Sequence, residues 1–394
     1  MSEANAQPLR FAPWLLLLGA LTAIGPLSID MYLPSFPTLN QELGAGVQLS
    51  LASFFIGMAM GQILYGSLSD RFGRKPPLLA GLSLFVLASL GCSLASTMNE
   101  LIMARFLQGF GGCAGMVIAR AIVRDRCQAT QAAQAFSMLL LVMGLAPILA
   151  PLLGSYFLTQ FGWQSIFYFK AMFASLCLVA IMSLIPESLT QPRKLHLKQI
   201  VSSYWHLLFD RSFIGYTLSS GLTFSGMFAY IAGSPNLLIN LYGLSPSQYS
   251  FIFGINAFGF IAASQINAWL LRRGISMFSL LHNALYVPAT ISSLLCLSVL
   301  LKIDTLPLLL IGLFGYIASL GFISPNAGAA AMANQGHQAG TASALMGVLQ
   351  FSLAAVIGAI LGVWQANNAL PIFSILAFCG VSGFTWHRLI VNRS

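Results

Sequence analysis

The chain of 394 residues is 57% hydrophobic, only 7% charged and carries a formal net charge of +9, with a mean hydropathy of +0.83. Soluble globular domains hold roughly 25% charged residues, so this composition excludes one and describes an integral membrane protein. The positive balance has a sufficient cause in membrane topology and implies no nucleic-acid partner.

Backbone polar groups inside a bilayer must be satisfied within their own segment, and these apolar runs are too long and too little alternated for a barrel. Helices of about 20 residues are therefore expected. After a polar segment 1–12 containing Arg10, Pro13 opens an apolar run to about Ser28. It is read as a retained span and not a cleaved leader, because further spans follow it. Runs near 47–65, 77–96, 101–123, 133–157 and 165–185 complete a first set of six. A polar stretch from Pro186 to Arg211 leads to runs near 213–236, 247–271, 278–301, 306–326, 341–364 and 370–390. The expected fold is all-α, with twelve transmembrane helices in two six-helix bundles. Its parts are a tail 1–12, a first bundle 13–185, a linker 186–211 short enough to be an interfacial helix, and a second bundle 212–394.

Lysine and arginine concentrate in cytoplasmic connections. Arg10, Arg71, Arg74, Lys75, Arg120, Arg124, Arg126, Arg193, Lys194, Lys198, Arg211, Arg272, Arg273, Arg388 and Arg393 all fall on one side of this layout. Among the opposite connections, those from Pro34 to Gly46, Thr159 to Gly162 and Asn236 to Pro246 contain neither residue type. Both termini are expected in the cytoplasm, and the membrane is a plasma or bacterial inner membrane.

The densest charge lies in Gly66 to Pro76, GSLSDRFGRKP, between two apolar runs. Such a stretch cannot lie in lipid and is expected to form a short, tight loop at the membrane surface, with Gly73 at its turn. Asp70 is expected to face the positive end of another helix, the start of the eleventh span at Gly340-Thr341-Ala342-Ser343 being a candidate. Asp70, Arg71 and Arg74 would then latch one state; the plainer reading is a solvated basic turn that only sets topology. The second half echoes the stretch in WLLRRGI, Trp269 to Ile275. Six spans plus six with a repeated loop is the pattern of a transporter whose substrate site lies near the midplane between two related bundles.

Charged groups within spans are expensive and mark function by default. Here they are Asp30, Arg105 and Lys170. Asp30 follows Pro13 by about 17 residues, roughly 26 Å along a helix, and Arg105 sits at similar depth, so the two can pair. Burial favours the protonated carboxyl and a nearby arginine the ionised one, which suits Asp30 to carry a coupling proton. Asp30 can equally satisfy a frayed helix end before Pro34, and Arg105 can be a structural tie. Lys170 can snorkel to the outer interface or line a cavity.

Gly144, Pro147, Pro151 and Gly154 recur at spacings of three or four along one helix face. Small residues admit close helix approach and prolines remove ladder hydrogen bonds, which makes a hinge or merely a packed span. Tyr32, Phe54, Phe55, Tyr65, Phe224, Phe228, Tyr230, Asn256 and Tyr316 combine aromatic faces with polar tips that suit amphipathic compounds, although such residues also face lipid or pack. Met138, Met143, Met227 and Met346 would add adaptable surface. The six cysteines and five histidines show no metal-ligand spacing. No nucleophile elbow or phosphate loop is present in the sequence, so neither an enzyme nor ATP-driven transport is expected; no metal or cofactor is implied, and an ion gradient must drive any transport.

Gly66-x-Leu68-Ser69-Asp70-Arg71-x-Gly73-Arg74-Lys75 resembles the loop motif of the major facilitator superfamily, in the position where that family carries it. Leu101-x-x-x-Arg105-x-x-Gln108-Gly109 resembles the fourth-helix motif of its proton-coupled members. Gly144-Leu145-Ala146-Pro147 and Ala150-Pro151-Leu152-Leu153-Gly154 resemble the fifth-helix motif of its antiporters, with Ala146 where a glycine is usual. Pro26 to Pro34, PLSIDMYLP, and Ser220 to Phe228 are similar to the bicyclomycin-resistance (Bcr/CflA) branch of drug:proton antiporters. The resemblance spans the chain and implies efflux of small amphipathic drugs against protons by a monomer, proton coupling at Asp30 and Arg105, an outward-facing latch at Gly66, Asp70, Arg71, Gly73 and Arg74, and a seal against proton leak at the fifth span. Two other readings stand beside it: a carrier for a metabolite such as a nucleoside, amino acid or sugar, and a membrane receptor or scaffold. The scarcity of fixed polar groups in the second half, where Asn256, Gln265, Asn267 and Gln350 stand nearly alone, favours a permissive cavity over a specific carrier, and internal duplication disfavours a receptor.

Overall fold

The computed structural model describes residues 13–127, 129–189, 197–335, 339–364 and 368–390. The expected tail 1–12 with Arg10, and the basic residues Arg193, Lys194 and Arg393, lie outside the described residues. Among the described residues are twelve helical segments long and apolar enough to cross a membrane.

The first span consists of α1 (Pro13–Asp30), a 3-10 turn (Leu33–Ser35) and α2 (Phe36–Leu43). Then come α3 (Val47–Phe72), α4 (Lys75–Ser93), α5 (Met98–Arg126), α6 (Ala129–Phe161) and α7 (Gln164–Leu184). After α8 (Leu197–Phe209) follow α9 (Arg211–Pro235), continued by a π turn (Asn236–Leu241), and α10 (Pro246–Arg272). The chain ends with α11 (Met277–Leu300), α12 (Leu306–Met332), α13 (Ala339–Val363) and α14 (Leu370–Ile390). Helix starts follow local chemistry. Thr97 accepts the Glu100 amide at 3.3 Å, Asp210 accepts that of Phe213 at 3.0 Å, and Ser245 and Gln248 form a capping box with Pro246 in the first turn.

Two expected connections are shorter than the sequence suggested. The stretch from Gly66 to Phe72 forms the last turns of α3, and Lys75 opens α4, so only Gly73 and Arg74 remain between them. Gly73 makes the turn with φ +91°, a conformation that L side chains avoid. Pro34 to Leu43, expected as an outer connection, is helical and belongs to the first span. That span therefore does not stop near Ser28; it breaks at Asp30 and resumes, because Pro34 and Pro37 open helical turns but cannot continue the preceding one.

In the first half α5 lies against α3 and α4, α7 against α4, and α1 against α6, α5 and α7. In the second half α14 packs on α9 and α11, and α12 on α10 and α11. The halves meet along two seams, α3 with α13 and α6 with α10. On the first seam Ala52 and Leu49 meet α13 at Gly358 and Gly362, and Gln62 meets it at Gly347. On the second, Ser250 Oγ donates to the Pro151 carbonyl at 2.8 Å, and the Ser155 and Ser247 hydroxyls lie 3.2 Å apart. The 3-10 turn after Asp30 also touches α9 and α10. These cross-half contacts run from the end away from Gly73, called the far end below, past mid-span to Gln62 and Gly347, and at the Gly73 end, the charged end, a Cβ at Gly340 would lie 3.8 Å from Arg124 Nη1 of α5. Helix α8 buries Leu207 against Phe213, Ala331, Ala342 and Leu345 while Trp205 and Phe209 stay exposed, as an amphipathic surface helix does. Exposed Leu87, Met103, Leu176, Phe251, Leu294 and Phe378 give the spans an apolar exterior.

Candidate functional site

At the break between α1 and the 3-10 turn, Asp30 is buried, 4% exposed, and its carboxylate accepts no hydrogen bond among the described residues. The next cations on α5 and α7 are buried more deeply or equally. Arg105 is 0% and Lys170 3% exposed. The expected Asp30–Arg105 pair does not form. The Arg105 guanidinium instead donates to Gln108 Oε1 at 2.5 Å, and Gln108 is held by donating to Ser89 Oγ at 2.7 Å. Gln108 lies three residues on along the same helix face, so it meets Arg105 before any group on α1 does. The faces of Tyr32 and Phe54 lie 4.6 Å and 4.3 Å from the guanidinium carbon, a desolvated cation–π arrangement. Arg105 Nε and Nη2 remain buried without a hydrogen-bond partner among the described residues.

Lys170 is inside the bundle, which removes the snorkelling alternative. Its Nζ donates to the Ser28 carbonyl at 3.3 Å and lies 4.6 Å and 5.4 Å from the rings of Phe167 and Tyr32. Tyr32 thus offers its ring to both cations, and its hydroxyl bonds Ser50. Asp30 lies within electrostatic reach of Lys170 and, across the seam, of Tyr230 and Tyr249. Tyr230 accepts the Asn256 amide at 2.8 Å, and Tyr249 lies 3.2 Å from Ser234 Oγ. Asp30 is therefore a first-half carboxylate enclosed partly by the second half.

The candidate cavity residues sort into three groups. Phe55, Phe224 and Phe228 join Phe351 and Phe260 in a cross-half aromatic cluster, with Phe55 4.8 Å from Phe228 and 6.2 Å from Phe351. Tyr230 and Asn256 border Asp30 as described. Tyr32, Phe54, Tyr65 and Tyr316 lie inside their own halves: Tyr65 packs on Phe110, and Tyr316 donates to the Thr223 carbonyl at 2.8 Å. Phe351 went unnoticed in the sequence, where one aromatic in an apolar span carries no signal; only its meeting with Phe55 sets it apart. Beyond the seams, at the far end, a crevice of about 170 Å³ includes Asn40, Gln48, Asn236, Asn368 and Trp364 in its lining, and none of its lining residues is charged.

On α6 the face bearing the small and proline residues serves two partners. Gly154 abuts the backbone of Met31, beside Asp30, whereas Gly144 faces Ile261 of α10. The Pro151 carbonyl takes the Ser250 bond, and α6 runs unbroken through Pro147 and Pro151.

At the charged end Arg74 forks onto Asp125 with contacts of 2.7 Å and 3.3 Å, and also donates to Ser69 Oγ and Asp70. Burial alone weakens a guanidinium's hold on its proton, but bonding to Asp125 and Asp70 more than reverses this. Glu187 closes the turn from outside. Its Oε1 accepts the Arg74 amide at 2.8 Å and those of Ser188 and Leu189, and its Oε2 accepts the Lys75 amide at 3.0 Å. Arg126 donates to the Pro186 carbonyl at 2.7 Å. Asp70 has Arg74 as its partner and makes no bond to the start of α13 among the described residues, and Arg71 is exposed over the Phe72 ring. Gly66 has open space around it. Asp125 and Glu187 were missed in the sequence, although an acid set between Arg124 and Arg126 and another opening a basic linker were usable signs.

Burial alone would raise the Glu187 carboxyl, but the amides of Leu189, Lys75, Arg74 and Ser188 hold it below its ordinary value of 4.5. Its contribution is therefore complete above that value and lost as pH falls through the lower folded-state one. Glu187→Gln cannot offer two acceptor oxygens, and is expected to lose about 1 kcal/mol, a hydrogen-bond figure already discounted for exposure. Thermal unfolding of the purified protein at pH 7 checks this; an unchanged midpoint would show that the clasp contributes nothing.

Comparison with known proteins agrees with this architecture. A chain from Bacillus subtilis described as an uncharacterized MFS-type transporter, YdgK, is 37% identical over 93% of this chain and 92% of its own. The bicyclomycin resistance protein homolog of Haemophilus influenzae is 30% identical over 97% and 96%. Among solved structures, a D-xylose-proton symporter superposes with a TM-score of 0.77 at 17% identity, covering 96% of this chain and 97% of that one, a likeness of fold. With residues 18–359 matching the sequence model of the Major Facilitator Superfamily as well, the chain belongs to that superfamily of transporters and is not an enzyme.

Proposed function

We propose that the protein exports small amphipathic drugs across a bacterial inner membrane in exchange for protons, as a monomer of the Bcr/CflA branch, by alternating access between bundles 13–185 and 212–394. The observation that carries the reading is Asp30: a buried residue whose carboxylate accepts no hydrogen bond among the described residues, at a break in the first span and beside the cross-half seam. An intramembrane carboxylate left so is costly unless it is used. Relatedness to a bicyclomycin resistance protein homolog supports drugs as the substrate class. The aromatic cluster of Phe55, Phe224, Phe228 and Phe351 supplies broad apolar faces with little fixed polarity, as loosely specific recognition requires.

Under the positive-inside rule the charged end is cytoplasmic, together with both termini. We read the contacts of α6 with α10 and of the 3-10 turn with α9 as the closed periplasmic side of an inward-facing state. In this reading Asp70, which bonds Arg74 and makes no bond to the start of α13 among the described residues, belongs to a latch of Gly66, Asp70, Arg71, Gly73 and Arg74 that engages when the bundles rock. Gly144, Pro147, Pro151 and Gly154 form the pivot and outer seal.

In inside-out vesicles with an acid lumen, adding a transported drug is expected to raise lumenal pH as protons leave against drug entry. Asp30→Asn is expected to abolish this to the level of vesicles lacking the protein, while drug binding persists. Unaltered coupling in Asp30→Asn removes Asp30 from the proton path. If nucleosides and not drugs move protons, the protein is a metabolite carrier.

A further inference from the structure

Lys170 is absent from the motifs singled out above, yet it is one of three charged side chains buried between the spans of the first half. An ammonium carries three donors, and among the described residues Lys170 uses one, on the Ser28 carbonyl at 3.3 Å; it also lies over the faces of Phe167 and Tyr32. Ser28 is two residues from Asp30 on the same helix, so the ammonium already lies against the turn that bears the carboxylate. Arg105 makes no hydrogen bond or ion pair with Asp30 among the described residues. Gln108 and the rings of Tyr32 and Phe54 hold it, and Ser89 anchors Gln108 in turn. The titratable and charged groups around Lys170 are Asp30 from α1, Cys92 from α4, Arg105 from α5 and Tyr32 from the turn, with Tyr230 and Tyr249 facing Asp30 from the second half.

We propose that Lys170 is the counter-ion of Asp30 and positions its carboxylate, the ammonium moving from the Ser28 carbonyl to the carboxylate when that group gives up its proton. The proton leaves from the Asp30 carboxyl to water on the open side, and the ammonium is the cation that meets the carboxylate it leaves behind. Cation and carboxylate are then buried as a unit, and neither has to bear the cost of an uncompensated charge between the spans. Arg105, with no carboxylate beside it, acts on Lys170 by repulsion and keeps the ammonium on the Asp30 side.

The pairing is independent of the transport reading; only its part in coupling rests on it. The test compares wild type, Lys170→Met, Asp30→Asn and the double variant for thermal unfolding in detergent. The same four proteins are then assayed for drug-driven proton movement in vesicles, with Lys170→Arg as the conservative variant. Lys170→Met is expected to unfold at lower temperature, or to fail to fold, and the double variant to recover most of the loss, because it removes both charges together. Lys170→Arg keeps the charge and is expected to retain coupling, which Lys170→Met loses. Additive single effects, or a double variant as unstable as Lys170→Met, would overturn the pairing and leave Lys170 as a filler of space. If no drug moves protons through wild type, the transport reading fails, and the stability comparison still decides the pairing.

Discussion

Gly154→Ala is expected to destabilise the protein by about 3 kcal/mol, at the upper end of the overpacking range, whereas Gly144→Ala, ten residues earlier on the same motif face, leaves stability unchanged or raises it by up to about 1 kcal/mol. A Cβ at Gly154 would stand 1.9 Å from the Met31 carbonyl oxygen and 2.7 Å from its carbon. Both are backbone, so neither can turn aside; α1 or α6 must shift as a body. The shift would fall on the residue after Asp30 and on the stretch of α6 whose Pro151 carbonyl holds Ser250. At Gly144 the nearest atom is Ile261 Cδ1 at 3.4 Å, the end of a flexible side chain at ordinary contact distance. Adding a methyl there fills space, and replacing glycine in a helix reduces the entropy lost on folding. Unfolding midpoints of the two purified variants separate these cases. Equal shifts would mean that the motif glycines serve helix propensity in general and that the approach of α6 to Met31 has no special weight.

How much of this was legible in the sequence depended on what a one-dimensional pattern can carry. Run length and hydropathy sufficed for the twelve spans, because a bilayer demands a minimum apolar length. Span ends were harder. Ser67, Ser69, Asp70 and Arg71 are polar enough to read as loop, yet a helix leaving the membrane keeps its hydrogen bonds in water, and α3 continues to Phe72. Pro34 to Gly46 reads as an outer connection, but Pro34 and Pro37 each sit in the first turn of a short helix, where a missing amide proton costs nothing. Depth along a helix was readable and direction around it was not. Asp30 and Arg105 were placed at similar depth, and only the structure reveals that Arg105 turns to Gln108 while Lys170 of α7 reaches Ser28. The charged-end clasp illustrates the same limit: Arg74 meets Asp125 and Glu187, 51 and 113 residues away in the chain.

Arg105→Met is expected to leave the protein folded, with stability within about 1 kcal/mol of wild type, and to reduce drug-driven proton movement to background. Breaking a buried ion pair by removing one partner costs about 3–5 kcal/mol, because a charge is stranded, but no carboxylate pairs with Arg105 among the described residues. The substitution loses the two ring contacts and leaves the buried Gln108 Oε1 without the Arg105 donor, together worth about 1–3 kcal/mol. It also removes a desolvated charge whose Nε and Nη2 have no hydrogen-bond partner among the described residues, an omission that itself costs about 1–3 kcal/mol. The two sides nearly cancel, and methionine fills the vacated stem between Tyr32 and Phe54 with adaptable apolar bulk. An arginine buried without stabilising the fold is retained for what it does, and its unpartnered donors beside Tyr32 are the groups left over for a moving part or a ligand. The stability of Arg105→Met in detergent and its activity in vesicles have to be read together. A loss of about 3 kcal/mol or more would place a carboxylate partner at Arg105 in the folded protein after all. Full activity at wild-type stability would make the arginine dispensable, and the proton path would then rest on Asp30 and Lys170 alone.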